Sequence, residues 1–139
     1  MDPLKRARFD KLLESVLNSL HNRIHRLLEE VPLVVEDTPA PELLEELNCA
    51  PDEICGLYSG LMLTERSIDD LPSLPDTIYL YREGILAIAG GWDTWNDEED
   101  GTPMGGDDVI REEIRITILH EVGHHFGLEE DDLEALGYA

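Results

Sequence analysis

The sequence has few cysteines and no long apolar run, and both shortages limit the kind of protein it can be. Cys49 and Cys55 are its only cysteines, too few for a disulfide framework and without CxxC spacing. No stretch of about 18 apolar residues is present, so no transmembrane segment is predicted. The first 20 residues mix charged with apolar side chains and lack the continuous apolar core of a secretory signal. We therefore expect a cytoplasmic protein with reduced structural thiols.

Basic residues are also scarce. Ten Lys and Arg stand against 32 Asp and Glu, which gives a formal net charge of −22 at pH 7. Such a charge repels nucleic acid and anionic membrane surfaces and favours cations and basic polypeptides. We therefore expect neither a nucleic-acid partner nor a membrane partner. A solvated acidic surface that keeps the protein in solution explains the same excess, so the charge alone identifies no partner.

The length and the apolar pattern favour a single domain over residues 1–139. Hydrophobic residues make up 42% of the chain, enough for a substantial core. Apolar side chains at helical spacing predict one long helix over residues 3–30 and a short helix over residues 41–47. The β-branched segment 33–36 predicts a short strand between them.

A β-hairpin is predicted in the middle of the chain. Residues 78–82 alternate as a strand does, and the apolar run 85–89 is interpreted as the partner strand. Glu83 and Gly84 suit a tight turn between them. We expect this hairpin to lie against the helix near the carboxyl end.

A glycine-rich acidic loop is predicted over residues 90–108, and it contains Trp92 and Trp95. Loops of this length are often lids or connectors. Three interpretations remain open: a mobile loop facing a substrate, plain disorder, and a calcium loop over residues 96–107. Met104 at a ligand position and the missing bidentate glutamate count against calcium.

The most informative stretch is HEVGHHFGLEE, near the carboxyl end. Helical residues four apart share a face, so His120 and His124 can bind one metal ion together. Glu121 lies about 100° around the helix, beside the ion's open position, where a general base is needed. Gly127 can take the left-handed conformation that ends a helix, and the reversed chain could bring Glu130 toward the metal.

This motif is predicted to occupy the second half of a buried helix over residues 108–126. Asp107 and Asp108 can cap its start. An apolar stripe runs along it: Ile110, Ile114, Ile118 and Leu119. Element boundaries read from sequence shift by about 2 to 4 residues, so Asp131 rivals Glu130 as the third ligand. A metal-free helix end with solvated histidines is the alternative, but it leaves the clustered histidines unexplained.

The chain resembles the minimal zincin-like family of small bacterial metallopeptidases, which is related to the metzincins. The resemblance rests on REEIRITILHEVGHHFGLEEDDLEALGY and, more weakly, on LYSGLMLTERS and LPDTIYLYR. It implies a minimal zincin-like α+β fold, with a small mixed sheet packed on a long N-terminal helix and an active-site helix. It also implies Zn²⁺ on His120, His124 and Glu130, Glu121 as catalytic base, and a peptide or protein as substrate.

The resemblance further implies a cleft between the metal and a sheet edge that pairs with an extended substrate, but the sequence does not identify the edge strand. Zinc with three protein ligands keeps a position for water, whose pKa it lowers to about 7. Two functions follow: a zinc metallopeptidase, or a catalytically weak zinc-binding module that holds a protein partner through its acidic face. Glu121 favours the enzyme, because a structural zinc site needs no base.

Overall fold

Helices pack against a small sheet in the part of the chain that the computed structural model describes, residues 1–59 and 77–126. The elements in chain order are α1 (Pro3–Ser19), α2 (Asn22–Glu30), β1 (Leu33–Glu36), α3 (Pro41–Leu47), β2 (Gly56–Ser59), β3 (Thr77–Tyr81), α4 (Arg82–Ala89), β4 (Trp95–Asn96), β5 (Pro103–Met104) and α5 (Gly106–Phe126). This is the α+β arrangement that the sequence predicts.

The main sheet is mixed, with β3 in its centre. β1 pairs with β3 in parallel, and β2 pairs with β3 antiparallel, so that Leu33 lies opposite Ile78 and Gly56 opposite Leu80. Ile78 and Leu80 point to the same face and are completely buried. The strand order leaves β1 and β2 as the sheet edges within the described residues.

One hydrophobic core joins this sheet face to α1 and α5. The apolar stripe predicted for α5 is buried along its length, and α1 contributes residues at the same helical spacing. The contributors from these two helices are Phe9, Leu12, Leu13, Val16, Ile110, Ile114, Ile118, Leu119 and Val122. Burial of each large aliphatic side chain contributes roughly 1.5 to 3 kcal/mol. The core therefore fixes α5 and the orientation of the motif that α5 carries.

The predicted single N-terminal helix is two helices. α1 ends at Ser19, whose hydroxyl donates to the Val16 carbonyl oxygen at 2.8 Å, and Leu20 is extended with ψ 149°. His21 then caps α2, because its Nδ1 accepts a hydrogen bond from the Arg23 backbone N–H at 3.0 Å. Short polar side chains compete with the helix for backbone hydrogen bonds, which explains the break.

The predicted hairpin is also wrong, because residues 85–89 belong to α4. Gly84, expected in a turn, lies inside this helix, and a Cβ there would stand 1.9 Å from the Ile54 carbonyl oxygen. Glycine therefore lets α4 approach the segment before β2. Burial follows helical spacing, since Ile85 and Ala89 are buried while Ile88 is exposed. A short apolar run suits strand and helix alike, and packing decides between them. The predicted contact with α5 is present, and both α4 and β3 make it.

The acidic loop is an ordered hairpin at the start of α5. β4 and β5 pair there, the Trp95 indole N–H donates to the Gly90 carbonyl oxygen at 2.8 Å, and Asp97 accepts from the Glu99 N–H at 2.8 Å. The motif begins about 21 Å further along the axis of α5, at the usual rise per residue. The hairpin thus lies at the opposite end of α5 from the motif. This loop lies wholly within the described residues, and it contains no cluster of three acidic side chains that could hold a cation.

The start of α5 differs slightly from the prediction. The helix begins at Gly106, so Asp107 and Asp108 lie in its first turn and do not cap it. Both carboxylates still lie at the positive end of the helix dipole. Asp107 also accepts hydrogen bonds from Arg8 of α1, at 2.7 and 3.0 Å, which ties the two long helices together.

Both cysteines lie within the described residues. Cys49 and Cys55 are free thiols, both partly buried. Within residues 1–59 and 77–126, none of the helices combines the length and hydropathy that a bilayer span requires.

Candidate metal centre

α5 brings His120, Glu121 and His124 together. One potential ligand atom from each lies within 4.8 Å of those of the other two, and the imidazole centroids are 4.5 Å apart with 60° between their planes. This proximity follows from the four-residue spacing of the histidines. Of the residues with assigned structure, these form the single group of three or more His, Cys, Asp or Glu side chains arranged in this way.

Burial differs sharply within this group. Both imidazoles are exposed to solvent, whereas Glu121 is buried, with an exposed fraction of 6%. The rings are therefore accessible to an ion and to a substrate from solvent. The carboxylate lies beneath them, between α5 and β2, where it is shielded from bulk water.

The Glu121 carboxylate accepts one hydrogen bond, from Tyr58, while its Oε2 has no hydrogen-bond partner among the described residues. It accepts a hydrogen bond from the backbone N–H of Tyr58 in β2. Its Oε2 lies 3.4 Å from His124 Nδ1, but the contact lacks hydrogen-bond geometry, and Oε2 has no other partner among the described residues. A buried acceptor without a hydrogen bond reduces the free energy of unfolding by about 1 to 3 kcal/mol. This oxygen is therefore available to accept a hydrogen bond from a donor such as water.

The surroundings of Glu121 make it a stronger base than an ordinary glutamate. Burial raises its pKa, while the two imidazoles and the Tyr58 amide act in the opposite direction without cancelling the rise. A raised pKa suits a proton acceptor, because general bases work best when their pKa lies near the operating pH.

Gly56 allows β2 to lie this close to α5. A Cβ at Gly56 would stand 2.6 Å from Thr117 Cγ2, 2.9 Å from the Tyr79 carbonyl oxygen and 3.3 Å from Glu121 Cγ. The first two distances are too short for real contacts, so no larger residue fits without a shift. Sequence reasoning missed β2 as a strand. Glycine inside a short segment with an aromatic residue is the signal that could have found it, since such glycines mark close backbone approach.

β2 presents its outer edge beside the motif. The Tyr81 N–H donates to the Cys55 carbonyl oxygen at 2.8 Å across the β2–β3 pair. Backbone groups alternate in direction along an antiparallel strand, so those of Gly56 and Tyr58 point away from β3. The bond from Tyr58 to Glu121 agrees with this direction. The sequence did not identify this edge.

A groove of about 330 Å³ runs beside the motif. The segment leading into β2 forms one wall, and the other walls come from Ile88 of α4 and from α5. His120 and Glu121 line one end. The groove therefore connects the candidate base with neighbouring surface on α5.

The remaining predicted site residues lie outside the described residues. They are Glu130, its rival Asp131, and the turn residue Gly127. The site as described thus consists of two imidazoles and one buried carboxylate.

The chemistry of this donor set fits zinc. Zinc prefers nitrogen and sulfur ligands and accepts carboxylates, whereas calcium and magnesium prefer oxygen ligands alone. Two exposed imidazoles on one helix face can serve as a pair of nitrogen ligands. The unsatisfied Glu121 Oε2 beside them lies where a base would be needed.

The comparison with protein-family models agrees with the fold. The model of the family described as zincin-like metallopeptidase matches residues 28–138. This match covers most of the sequence, and the chain belongs to the zincin-like metallopeptidase family. The family resemblance predicted from the motif is therefore confirmed. A comparison with curated proteins finds no match.

Proposed function

We propose that the protein is a zinc-dependent metallopeptidase that hydrolyses peptide bonds with Glu121 as general base. His120 and His124 would hold zinc, with Glu130 as the third ligand. The observation that carries the proposal is the buried Glu121 carboxylate, which has one unsatisfied oxygen beside two exposed imidazoles. A metal-binding site without catalysis has no use for such a base.

Glu121 and Tyr58 would have separate roles in the proposed hydrolysis. When bound, zinc would supply Lewis-acid activation of water and of the peptide carbonyl. Glu121 would accept the water's proton at Oε2, which has no hydrogen-bond donor among the described residues. The same carboxyl group would then deliver the proton to the leaving amine. The Tyr58 N–H would hold the carboxylate in position during both steps.

The outer edge of β2 is the best candidate for binding the substrate backbone. Outward-facing groups of Gly56 and the Tyr58 carbonyl lie beside the motif, and an extended peptide can add to such an edge as a further strand. We propose that the peptide lies between β2 and the two imidazoles. The scissile bond would then lie within reach of Glu121.

Substitution of Glu121 tests this function. Zinc content and hydrolysis of unstructured casein are measured for the native chain, for Glu121→Gln and for Glu112→Gln. Glu112 is an exposed control that pairs with Arg115. We expect Glu121→Gln to keep zinc and lose at least about a hundredfold in hydrolysis, while the control keeps both.

The alternative function predicts a different result in the same experiment. A zinc-binding module that holds a partner through its acidic face would bind zinc but would show equal, negligible hydrolysis in the native chain and in Glu121→Gln. That result would overturn the proposed peptidase.

A further inference from the structure

We propose that the groove beside the motif binds a Lys or Arg side chain of the substrate and that Glu113 determines this preference. The inference rests on the proposed peptidase function and specifies its substrate. It names the chemical character of a residue close to the scissile bond.

Glu113 lies on the same face of α5 as the motif. It precedes His120 by seven residues, which is two helical turns or roughly 10 Å. Its backbone is fixed, because its carbonyl oxygen accepts a hydrogen bond from the Thr117 hydroxyl at 2.8 Å. Glu113 lines the groove together with His120 and Glu121. A side chain that leaves the scissile bond along this groove points toward the Glu113 carboxylate.

The Glu113 carboxylate has no counter-ion within the part of the chain that the structure describes. Its neighbour Glu112 forms an ion pair with Arg115, with a hydrogen bond of 3.1 Å from Arg115 Nε. Burial raises the pKa of Glu113, and the charge of Glu112 adds to the rise. Glu53 lines the same groove and adds a second acidic group. A cationic group bound there would supply the missing counter-charge.

Apolar side chains form part of the groove wall. Ile88 of α4 is 54% exposed and Ile116 of α5 is 46% exposed, and both line the groove. Lys and Arg carry a charge at the end of a methylene stem, and such stems pack along apolar surface while the charged group reaches a polar partner. A groove lined by these isoleucines and by the Glu113 carboxylate matches this shape. A norleucine side chain would match the walls alone.

The charge of the whole chain supports the same preference. A net charge of −22 attracts cationic peptides and raises their rate of encounter at low salt. That general attraction acts on any basic peptide, whatever the position of its charge. Glu113 adds an attraction that depends on position. Because it lies in the groove, it favours a basic residue at one position relative to the scissile bond.

A peptide series tests this inference. Fluorogenic peptides carry Lys, Arg, norleucine or Glu at one position at a time on either side of the scissile bond. We expect one position at which Lys or Arg raises kcat/KM about tenfold over norleucine. Glu113→Gln should reduce that ratio to within about twofold while norleucine peptides remain substrates, and Glu112→Gln should retain it. Equal ratios in the native chain and Glu113→Gln would overturn the inference.

Charge reversal distinguishes a change in substrate preference from a loss of folding. Glu113→Lys should shift the preference at that position from Lys to Glu, which a misfolded protein cannot do. Circular dichroism and the unfolding midpoint of each variant establish that α5 is intact. A Glu113→Lys variant that folds and still prefers Lys would refute the role of Glu113.

Peptide binding separates this inference from the proposed function. Affinities of the Lys and norleucine peptides are measured by fluorescence anisotropy on zinc-loaded Glu121→Gln, with and without Glu113→Gln. Selective binding of the Lys peptide that needs Glu113, without hydrolysis by the native chain, would support the groove and overturn the peptidase. Hydrolysis without any preference for Lys or Arg would support the peptidase and overturn the groove.

Discussion

The backbone N–H of Tyr58 donates a hydrogen bond to the carboxylate of Glu121 and so connects the edge strand β2 to the motif on α5. This bond links the proposed substrate-binding edge to the proposed base. Any change that separates β2 from α5 should therefore affect both at once. The position of Glu121 depends on the packing of the strand as well as on the helix that carries it.

Gly56→Ala should disturb this link. The added Cβ would meet Thr117 Cγ2 at 2.6 Å and the Tyr79 carbonyl oxygen at 2.9 Å, so β2 must move away from α5. We expect a loss of about 1 to 3 kcal/mol in unfolding free energy, measured in urea, and a larger relative loss of peptide hydrolysis. Adding Thr117→Ser removes the contacting methyl group and should restore part of both. Unchanged stability and hydrolysis in Gly56→Ala would show that the close approach is unnecessary.

Two isoleucines on α5 should differ strongly in their contribution to stability. Ile118 is completely buried, whereas Ile116 is exposed to solvent on the groove side. Ile118→Ala should cost about 2 to 5 kcal/mol of unfolding free energy, because it removes buried methyl groups and leaves a cavity. Ile116→Ala is the matched control and should change stability by no more than about 0.5 kcal/mol. Similar losses from the two variants would contradict the orientation of α5.

Asp37 should make stability depend on acid pH. Hydrogen bonds from Arg6, from the N-terminal amine and from Arg82 lower the pKa of Asp37 to about 2. The folded state thus favours the ionised carboxylate of Asp37. This ionised group stabilises the fold at pH values above about 3.9, the pKa of an aspartate in the unfolded chain. This stabilisation is lost as pH falls toward about 2. The thermal midpoint of the native chain should therefore fall more steeply between these pH values than that of Asp37→Asn. Parallel curves would argue against these ion pairs.

The sequence predicted the elements whose local signals are strong. The α5 stripe of Ile110, Ile114 and Ile118 has unmistakable helical spacing, and β1 and α3 match their predicted bounds. The motif histidines follow from that helix, because their spacing alone brings them together. Family membership followed from the same residues.

Long-range packing decided the elements that the sequence missed. α4 packs closely on the Ile54 backbone because residue 84 is glycine, a relationship between residues thirty positions apart. The strand β2 depends on pairing with β3 and on the small size of Gly56. The single-domain organisation and the cytoplasmic location stay predictions, as do the roles of Glu130 and Asp131.

Zinc stoichiometry tests the central claim most directly. The chain is saturated with zinc and dialysed against zinc-free buffer, and its metal content is measured by inductively coupled plasma mass spectrometry. The variants His120→Ala and His124→Ala and the control His21→Ala are treated in the same way. His21 caps α2 and lies outside the motif. We predict about one zinc ion per native or control chain and a clear loss in both motif variants. A native chain that takes up no zinc, or motif variants that retain it fully, would contradict the account.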